Sequence, residues 1–333
     1  MVSKESLVLL GIPPSMRDLI GEQNLDRLLD AHPRVRVERT YDKDQFTELV
    51  KQVDAVIFQS TFRFPPEVFK PDSRLRWIHL ATAGVNQALT PELIGADQVI
   101  FTSSKGPMGS LMAEHAVMLM LALARDLRGY LDSQAKHFWS RHDYVVPFMS
   151  QMLGKTIAIL GVGSFGGSLA RICKVGFGMK VLGMTRTSSS NPHVDRYFHR
   201  TELNVALAQA DVVALCLPIT PATERTIDAE ALAAMKPTAY LINVARGGLV
   251  DEEALIDALQ DGRIAGAGLD TTTVEPLPED SPLWALPNVI ITPHVGPGTD
   301  ALGESLVDFW CENIRRFAEN EPLLGIVDRH AGY

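Results

Sequence analysis

A chain of 333 residues, 46% hydrophobic and 21% charged, is too long for one ordinary core and has the composition of a soluble α/β protein of two domains. Its 31 basic and 40 acidic residues leave a net charge of −9, which excludes the basic stripe of a nucleic-acid surface. The longest apolar run, 116–124, is well short of a membrane span and 7–12 is too short for a signal core, so a soluble, cytoplasmic protein with no membrane partner is expected.

From the N-terminus, residues 7–11 read as a strand, 19–30 as a helix, 35–39 as a strand, 44–53 as a helix and 55–59 as a strand. A further strand at 77–81 is followed by Ala83-Gly84-Val85-Asn86. This alternation is that of a parallel sheet with helices on both faces. Residues 110–125 form one helix, apolar nearly all round, which should be buried or at a subunit interface. The stretch 126–152 is looser and carries Trp139, Tyr144, Pro147, Phe148 and Met149. A second series begins with a strand at 156–160, a helix at 164–175 and a strand at 180–184. Buried strands follow at 212–217, 239–244, 265–269 and 289–292, with helices such as 251–259 between them. The last amphipathic stretch, 301–320, is a helix that returns to the first domain. The predicted fold class is α/β, with two doubly wound parallel-sheet domains, one flavodoxin-like and one Rossmann-type, and a cleft between them. The Rossmann domain, 109–296, is inserted into a discontinuous domain made of 1–108 plus 297–333.

Three cysteines, Cys173, Cys216 and Cys311, lie far apart in apolar patterns. They read as buried free thiols in a reducing compartment, and no spacing suggests a metal site.

The turn Gly161-Val162-Gly163-Ser164-Phe165-Gly166 sits between a strand and a helix, and a second strand ends about twenty residues on. That context makes it a dinucleotide cradle rather than a plain turn. Gly161 makes the tight turn, Gly163 lets backbone approach a pyrophosphate, and Gly166 lets helix and strand pack closely. The helix N-terminus, from Ser164 and Phe165, supplies amides and a partial positive charge. The next strand ends in Thr185-Arg186-Thr187, followed by three serines, with no carboxylate to hold two ribose hydroxyls. Arg186 can pair with a 2′-phosphate, so NADP(H) is the preferred cofactor, with NAD(H) left open. A solvated loop is the plainer alternative for this segment.

Arg246 follows the strand 239–244 and precedes two glycines. Its rigid fork of donors suits a planar carboxylate, whereas an isolated arginine is more often a surface ion-pair partner. Glu275 and His294 make sense as a dyad. Delivering a hydride to a carbonyl carbon requires a proton at its oxygen, histidine titrates in the working range, and a neighbouring carboxylate holds its tautomer and favours the imidazolium. Of nine histidines, His79 lies in a strand and His115 in the apolar helix, so both read as satisfied core residues. His294 stands beyond a strand's carboxyl end, before a glycine-rich loop. Asp270 ends the strand 265–269, where a cap or turn aspartate is the alternative to a cofactor contact.

These phrases, together with Ala113-Glu114-His115, Leu217-Pro218-Ile219-Thr220-Pro221 and Pro322-Leu323-Leu324, resemble in order and spacing the D-isomer-specific 2-hydroxyacid dehydrogenase family, in particular its glyoxylate/hydroxypyruvate reductases. The resemblance implies that Arg246, Glu275 and His294 are catalytic. It implies that Arg246, His294 and the backbone of Ala83, Gly84 and Val85 receive the substrate, which makes 1–108 plus 297–333 the substrate-binding domain. It places Cys216, Leu217, Pro218, Thr223, Val244, Ala245, His294 and Gly296 around the cofactor, with Asp270 on the nicotinamide carboxamide. The stretch near 126–152 corresponds to the family's dimer arm, so a homodimer is expected. Thr185 departs from the family's NAD-selecting acid, Asn86-Gln87 replaces its more usual pairs, and Phe62-Arg63-Phe64 is bulky. The expected function is hydride transfer between NADP(H) and a small 2-oxo acid or D-2-hydroxy acid, glyoxylate or hydroxypyruvate above all. One alternative is a larger apolar 2-oxo acid, with Phe62, Phe64, Met108, Met112 and Met149 shaping the pocket. Another is a non-catalytic, dinucleotide-sensing binding protein of the same fold.

Overall fold

The computed structural model describes residues 6–139, 149–186 and 190–333. The centre of the 126–152 stretch and Thr187 lie outside the described residues. In chain order the first elements are β1 (Ser6–Gly11), α1 (Pro14–Ile20), α2 (Glu22–Asp26), β2 (Val35–Thr40), α3 (Lys43–Leu49), β3 (Ala55–Phe58), β4 (Trp77–Leu80), α4 (Pro91–Ile94) and β5 (Ile100–Ser103). Then come α5 (Gly109–Ala124), α6 (Leu127–Ala135), β6 (Thr156–Leu160), α7 (Ser164–Phe177), β7 (Lys180–Met184), β8 (Arg196–Phe198), α8 (Leu203–Leu207), β9 (Val212–Leu215) and α9 (Ala229–Ala234). The chain closes with β10 (Tyr240–Asn243), α10 (Glu252–Gln260), β11 (Gly266–Leu269), β12 (Val289–Ile291) and α11 (Leu302–Glu319). Among the described residues no helix is long and apolar enough to cross a membrane.

The chain divides into two compact units. The first joins the chain up to Met108 with Thr299–Tyr333, and the second is Gly109–Gly298. In the first, five parallel strands take the order β2-β1-β3-β4-β5, the flavodoxin-like winding. β3 and β4 are buried along their whole length, which is why they read as unbroken apolar runs. The helix expected over 19–30 is two short helices. Gly21 takes φ +86° between them, a left-handed conformation that interrupts the helix. α11 belongs to this unit and buries Leu306, Trp310, Ile314 and Phe317, one helical stripe.

The second unit holds seven parallel strands in the order β12-β11-β10-β9-β6-β7-β8. Chain direction across the sheet reverses between β6 and β9, so their carboxyl ends lie side by side at a topological switch point. One face of the sheet is covered by α5 and α7, through Leu119, Met120 and Leu169 against Ile157, Ile159 and Ile242. α5 comes close because β11 carries glycines where it passes. A Cβ on Gly268 would lie 3.0 Å from the Leu119 Cβ. The stretch after α5 is less loose than its sequence reads. Asp126, at φ +50°, accepts from the Gly129 N–H and starts α6.

Candidate active site

β6 runs straight into the glycine turn of the second unit. Gly161 has φ +98°, and a Cβ there would sit 2.7 Å from the Cys216 carbonyl oxygen, at the end of β9. A Cβ on Gly166 would be 1.9 Å from the Gly161 carbonyl oxygen, so any larger residue would push α7 off the strand. Gly163 differs from both. It is the N-cap of α7, no side chain caps the helix, and a Cβ there would meet nothing within 4 Å. Crowding at two glycines and open space over the third fit a diphosphate laid on the helix N-terminus, where amides and a partial positive charge favour an anion. Ser164 and Phe165 form the first turn, and Phe165 packs into the core beside α5.

At the end of β7, Thr185 is half-buried and Arg186 exposed. Cys216 and Leu217 leave β9 beside the glycine turn. The Thr223 hydroxyl closes the next turn, accepting from the Thr220 N–H (2.8 Å) and donating to the Pro218 carbonyl (2.7 Å). All three cysteines are free. Burial pushes the Cys173 thiol up to about 12 and the Cys216 thiol well above its usual range.

Arg246 stands on the loop after β10. The loop is shaped by Asn243, a buried polar residue at the strand's last position that the sequence reading passes over. Its Oδ1 accepts from the Ala245 N–H (3.2 Å) and its Nδ2 donates to the Arg246 carbonyl (2.9 Å). A Cβ on Gly247 would lie 2.0 Å from the Thr272 backbone, so this loop is wedged against the one that follows β11. The Arg246 guanidinium donates to the Ala245 carbonyl at 2.6 Å. Burial lowers its pKa from the ordinary arginine value, while the Glu275 carboxylate acts in the opposite sense. An arginine kept charged in a partly desolvated place is strongly drawn to an anion.

The dyad forms. His294 Nδ1 lies 2.7 Å from Glu275 Oε2, with the two side chains 43% and 38% exposed. The other carboxylate oxygen, Oε1, accepts from the Thr272 N–H at 3.2 Å. Glu275 is thus fixed on one side and presents its charge on the other. Exposure at this level leaves room for a substrate on the imidazole, as a closed core would not.

Asp270 ends β11 just behind. It is 2% exposed, its Oδ1 accepts from the Thr292 hydroxyl (2.6 Å) and the Val295 N–H (3.0 Å), and its Oδ2 accepts from the Gly296 N–H (3.0 Å). Burial works to raise its carboxyl pKa, but these bonds and one from His115 outweigh it and hold the value down to about 2. Thr292, just past the end of β12, and Asn243, at the end of the buried β10, are polar residues at strand ends; that position is the signal by which either could have been found. Val244 is buried next to Ala245 at the end of β10, and Gly296 is buried after His294. The Ala83-Gly84-Val85 turn belongs to the first unit, beyond the carboxyl end of β4. There the Thr82 hydroxyl donates to the Gly84 carbonyl (3.3 Å), and Val85 is buried.

Comparison with known proteins points the same way as this geometry. Residues 117–296 match the model of the D-isomer specific 2-hydroxyacid dehydrogenase NAD binding domain. A glyoxylate reductase of Pyrococcus furiosus is 34% identical over 296 residues, 88% of this chain and 87% of that protein. A D-3-phosphoglycerate dehydrogenase of Synechocystis is 32% identical over 314 residues, and there this chain spans only 54% of the longer relative. The solved structure of a D-isomer specific 2-hydroxyacid dehydrogenase from Xanthobacter autotrophicus, in complex with NADPH and MES, is 33% identical and superposes with a TM-score of 0.80 over 98% of this chain and 100% of that one. With Arg246, Glu275 and His294 at the carboxyl ends of a doubly wound sheet and a family match across that sheet, the chain belongs to the D-isomer specific 2-hydroxyacid dehydrogenases, a family of NAD(P)-dependent oxidoreductases.

Proposed function

We propose that the protein reduces a small 2-oxo acid to the D-2-hydroxy acid, with glyoxylate or hydroxypyruvate as the substrate and NADP(H) as the preferred cofactor. The observation that carries this reading is the 2.7 Å bond between His294 Nδ1 and Glu275. It leaves Nε2 as the nitrogen that hands a proton to the substrate's carbonyl oxygen. A nicotinamide dinucleotide held on the glycine turn would supply the hydride for the carbonyl carbon. Arg246 takes the substrate carboxylate and polarises the carbonyl. Glu275 balances the charge of the imidazolium until the proton leaves, and solvent returns a proton to His294.

Two features support the small substrate. The relative from Pyrococcus furiosus is a glyoxylate reductase. Phe62, a candidate wall for a larger pocket, is 1% exposed and stacks edge-on with Phe46 in the core of the first unit, while Phe64 packs on Phe46 and Phe58. NADP(H) is supported by Thr185 and Arg186 at the end of β7, and by the NADPH carried by the Xanthobacter relative. A homodimer is supported by the stretch after α5. Phe138 and Trp139 are 58% and 90% exposed, and a cavity of about 1100 Å³ lined by Leu123, Arg128, Tyr240 and Ile290 lies on the same unit. Faces of that kind are normally covered by another chain. Three free cysteines suit a reducing, cytoplasmic setting.

Turnover of a panel of 2-oxo acids with NADPH and with NADH tests the whole reading. Glyoxylate and hydroxypyruvate should be reduced fastest, and faster with NADPH. A chain that binds dinucleotide yet turns over no 2-oxo acid would be a sensor rather than a reductase.

A further inference from the structure

We propose that His115, on α5, is a positioning residue: through Asp270 and Thr292 it holds the backbone of His294 in the geometry that proton transfer needs. The proposal rests on the reductase reading above.

The argument starts with α5. Met112, His115, Leu119 and Leu123 fall three and four residues apart, on one face of the helix. Leu119 and Leu123 lie against Gly268 and Gly266 of β11. Met112 reaches past the strand's end, and a Cβ on Gly296 would lie 2.8 Å from its Cε. His115 stands between these contacts. Its Nε2 lies 2.9 Å from the Thr292 hydroxyl oxygen and 3.2 Å from Asp270 Oδ1, and its side chain is 14% exposed.

The proton on that nitrogen follows from its neighbours. The Thr292 hydroxyl spends its hydrogen on Asp270 Oδ1, so towards His115 it can only accept. The carboxylate is acceptor-only as well. Nε2 therefore carries a hydrogen and donates to both.

What this bond steadies is the next loop. Asp270 accepts three successive amides: the His294 N–H on its backbone carbonyl (2.9 Å), the Val295 N–H on Oδ1 and the Gly296 N–H on Oδ2. His294 itself sits at φ +54°, a left-handed conformation that residues with a side chain hold only when their surroundings impose it. Asp270 imposes it, and His115 and Thr292 stop the carboxylate from turning. Neither touches the Glu275–His294 bond, so their effect passes through the position of the loop.

The test compares His115→Leu, which keeps the bulk and removes the donor, with His115→Gln, whose amide nitrogen reaches as far as Nε2. His115→Asn, polar but too short to reach, stands in for Leu should that variant not fold. The readouts are kcat and KM for glyoxylate at saturating NADPH, and hydrogen exchange of amides 294–296. With the loop displaced, kcat should fall roughly tenfold in the Leu variant, and KM should change less than about twofold because Arg246 stands on another loop. Exchange at 294–296 should quicken, and Gln should restore both kcat and exchange. A Leu variant with wild-type kcat and exchange overturns the proposal. So does a Gln variant as impaired as Leu, which would mark the loss as one of packing. Exchange needs no turnover. A wild-type chain inactive on every 2-oxo acid would therefore sink the reductase reading alone, and the exchange rates would still decide on His115.

Discussion

His79 and His294 are both imidazoles tied down by hydrogen bonds, one in each unit, and they sit in opposite surroundings. His79 lies inside β4 and is fully buried, with Nδ1 2.7 Å from the Thr102 hydroxyl and Nε2 3.0 Å from the Ser104 hydroxyl. The same two hydroxyls accept the indole N–H groups of Trp77 and Trp310. Among the described residues no charge bears on the ring, and burial alone pushes its pKa down to about 3. His294 stands past the end of β12, is 43% exposed and faces a carboxylate. Hydrogen bonds alone therefore do not mark a chemical histidine. Position beyond a strand's carboxyl end, access for a substrate and a charge to balance the imidazolium separate the two.

Substitution of His294 should separate them most sharply. His294→Ala removes the proton donor and should lower turnover roughly a hundredfold or more, the usual share of general acid catalysis. An alanine variant that keeps wild-type turnover would place the chemistry elsewhere. Glu275→Gln comes next. It keeps the shape but takes away the charge facing the imidazole. A charge-assisted hydrogen bond contributes about 1.5–3 kcal/mol, so reduction should slow on the order of tenfold to a hundredfold. Steady-state rates of reduction at neutral pH check it, and an unimpaired Glu275→Gln would return Glu275 to the status of a loop carboxylate.

The same contrast shows what could be read from the chain before its fold was known. Buried parallel strands have a strong signal, and 156–160 and 180–184 correspond residue for residue to β6 and β7. The order of the phrases around Gly161, Arg246, Glu275 and His294 led to the family. Two edge elements were illegible. β8 is three residues long and half polar, and β5 begins at an exposed isoleucine, so neither shows a clear apolar run. The supporting polar residues were illegible for a different reason. Thr292 and His115 act through tertiary bonds between elements far apart in sequence, and no local spacing encodes such bonds, whereas the Asn243 side chain bonds within its own loop, to Ala245 and Arg246. By its place in an apolar helix His115 reads as a satisfied core histidine. Its Nε2 is indeed satisfied, but by Asp270 and Thr292 beside the dyad.

A smaller effect is expected at the cofactor. Arg186→Ala should raise the Michaelis constant for NADPH by about tenfold, the low end for a lost charge-assisted contact, and leave that for NADH nearly unchanged. Initial rates with both cofactors check it, and equal efficiency of the wild type with both would remove the reason for the experiment.

The smallest effect near neutrality belongs to His79, and it concerns stability rather than turnover. In the unfolded chain an imidazole titrates near 6.5, while in the folded protein burial holds His79 neutral down to about 3. Below pH 6.5 the unfolded chain therefore binds a proton that the folded chain refuses, and stability is lost as pH falls through that window. Above 6.5 the two states bind alike, and the group contributes no slope. The loss should reach about 1.4 kcal/mol by pH 5.5, one pH unit below the ordinary histidine value. Asp270, held down to about 2 from an ordinary 3.8, loses its contribution only at still lower pH, so the window from 7.5 to 5.5 keeps the two apart. Urea unfolding followed by tryptophan fluorescence suits the test, because Trp77 and Trp310 share the hydroxyls that hold His79. His79→Gln is less stable at every pH for want of a well-fitting ring, so the slope is what counts, and it should be flatter than that of the wild type. Should the variant not fold, the ring resonances of His79 in the wild type answer the same question. Titration near pH 6.5 would show that the core histidine is open to protons, and the contrast drawn from its burial would fail.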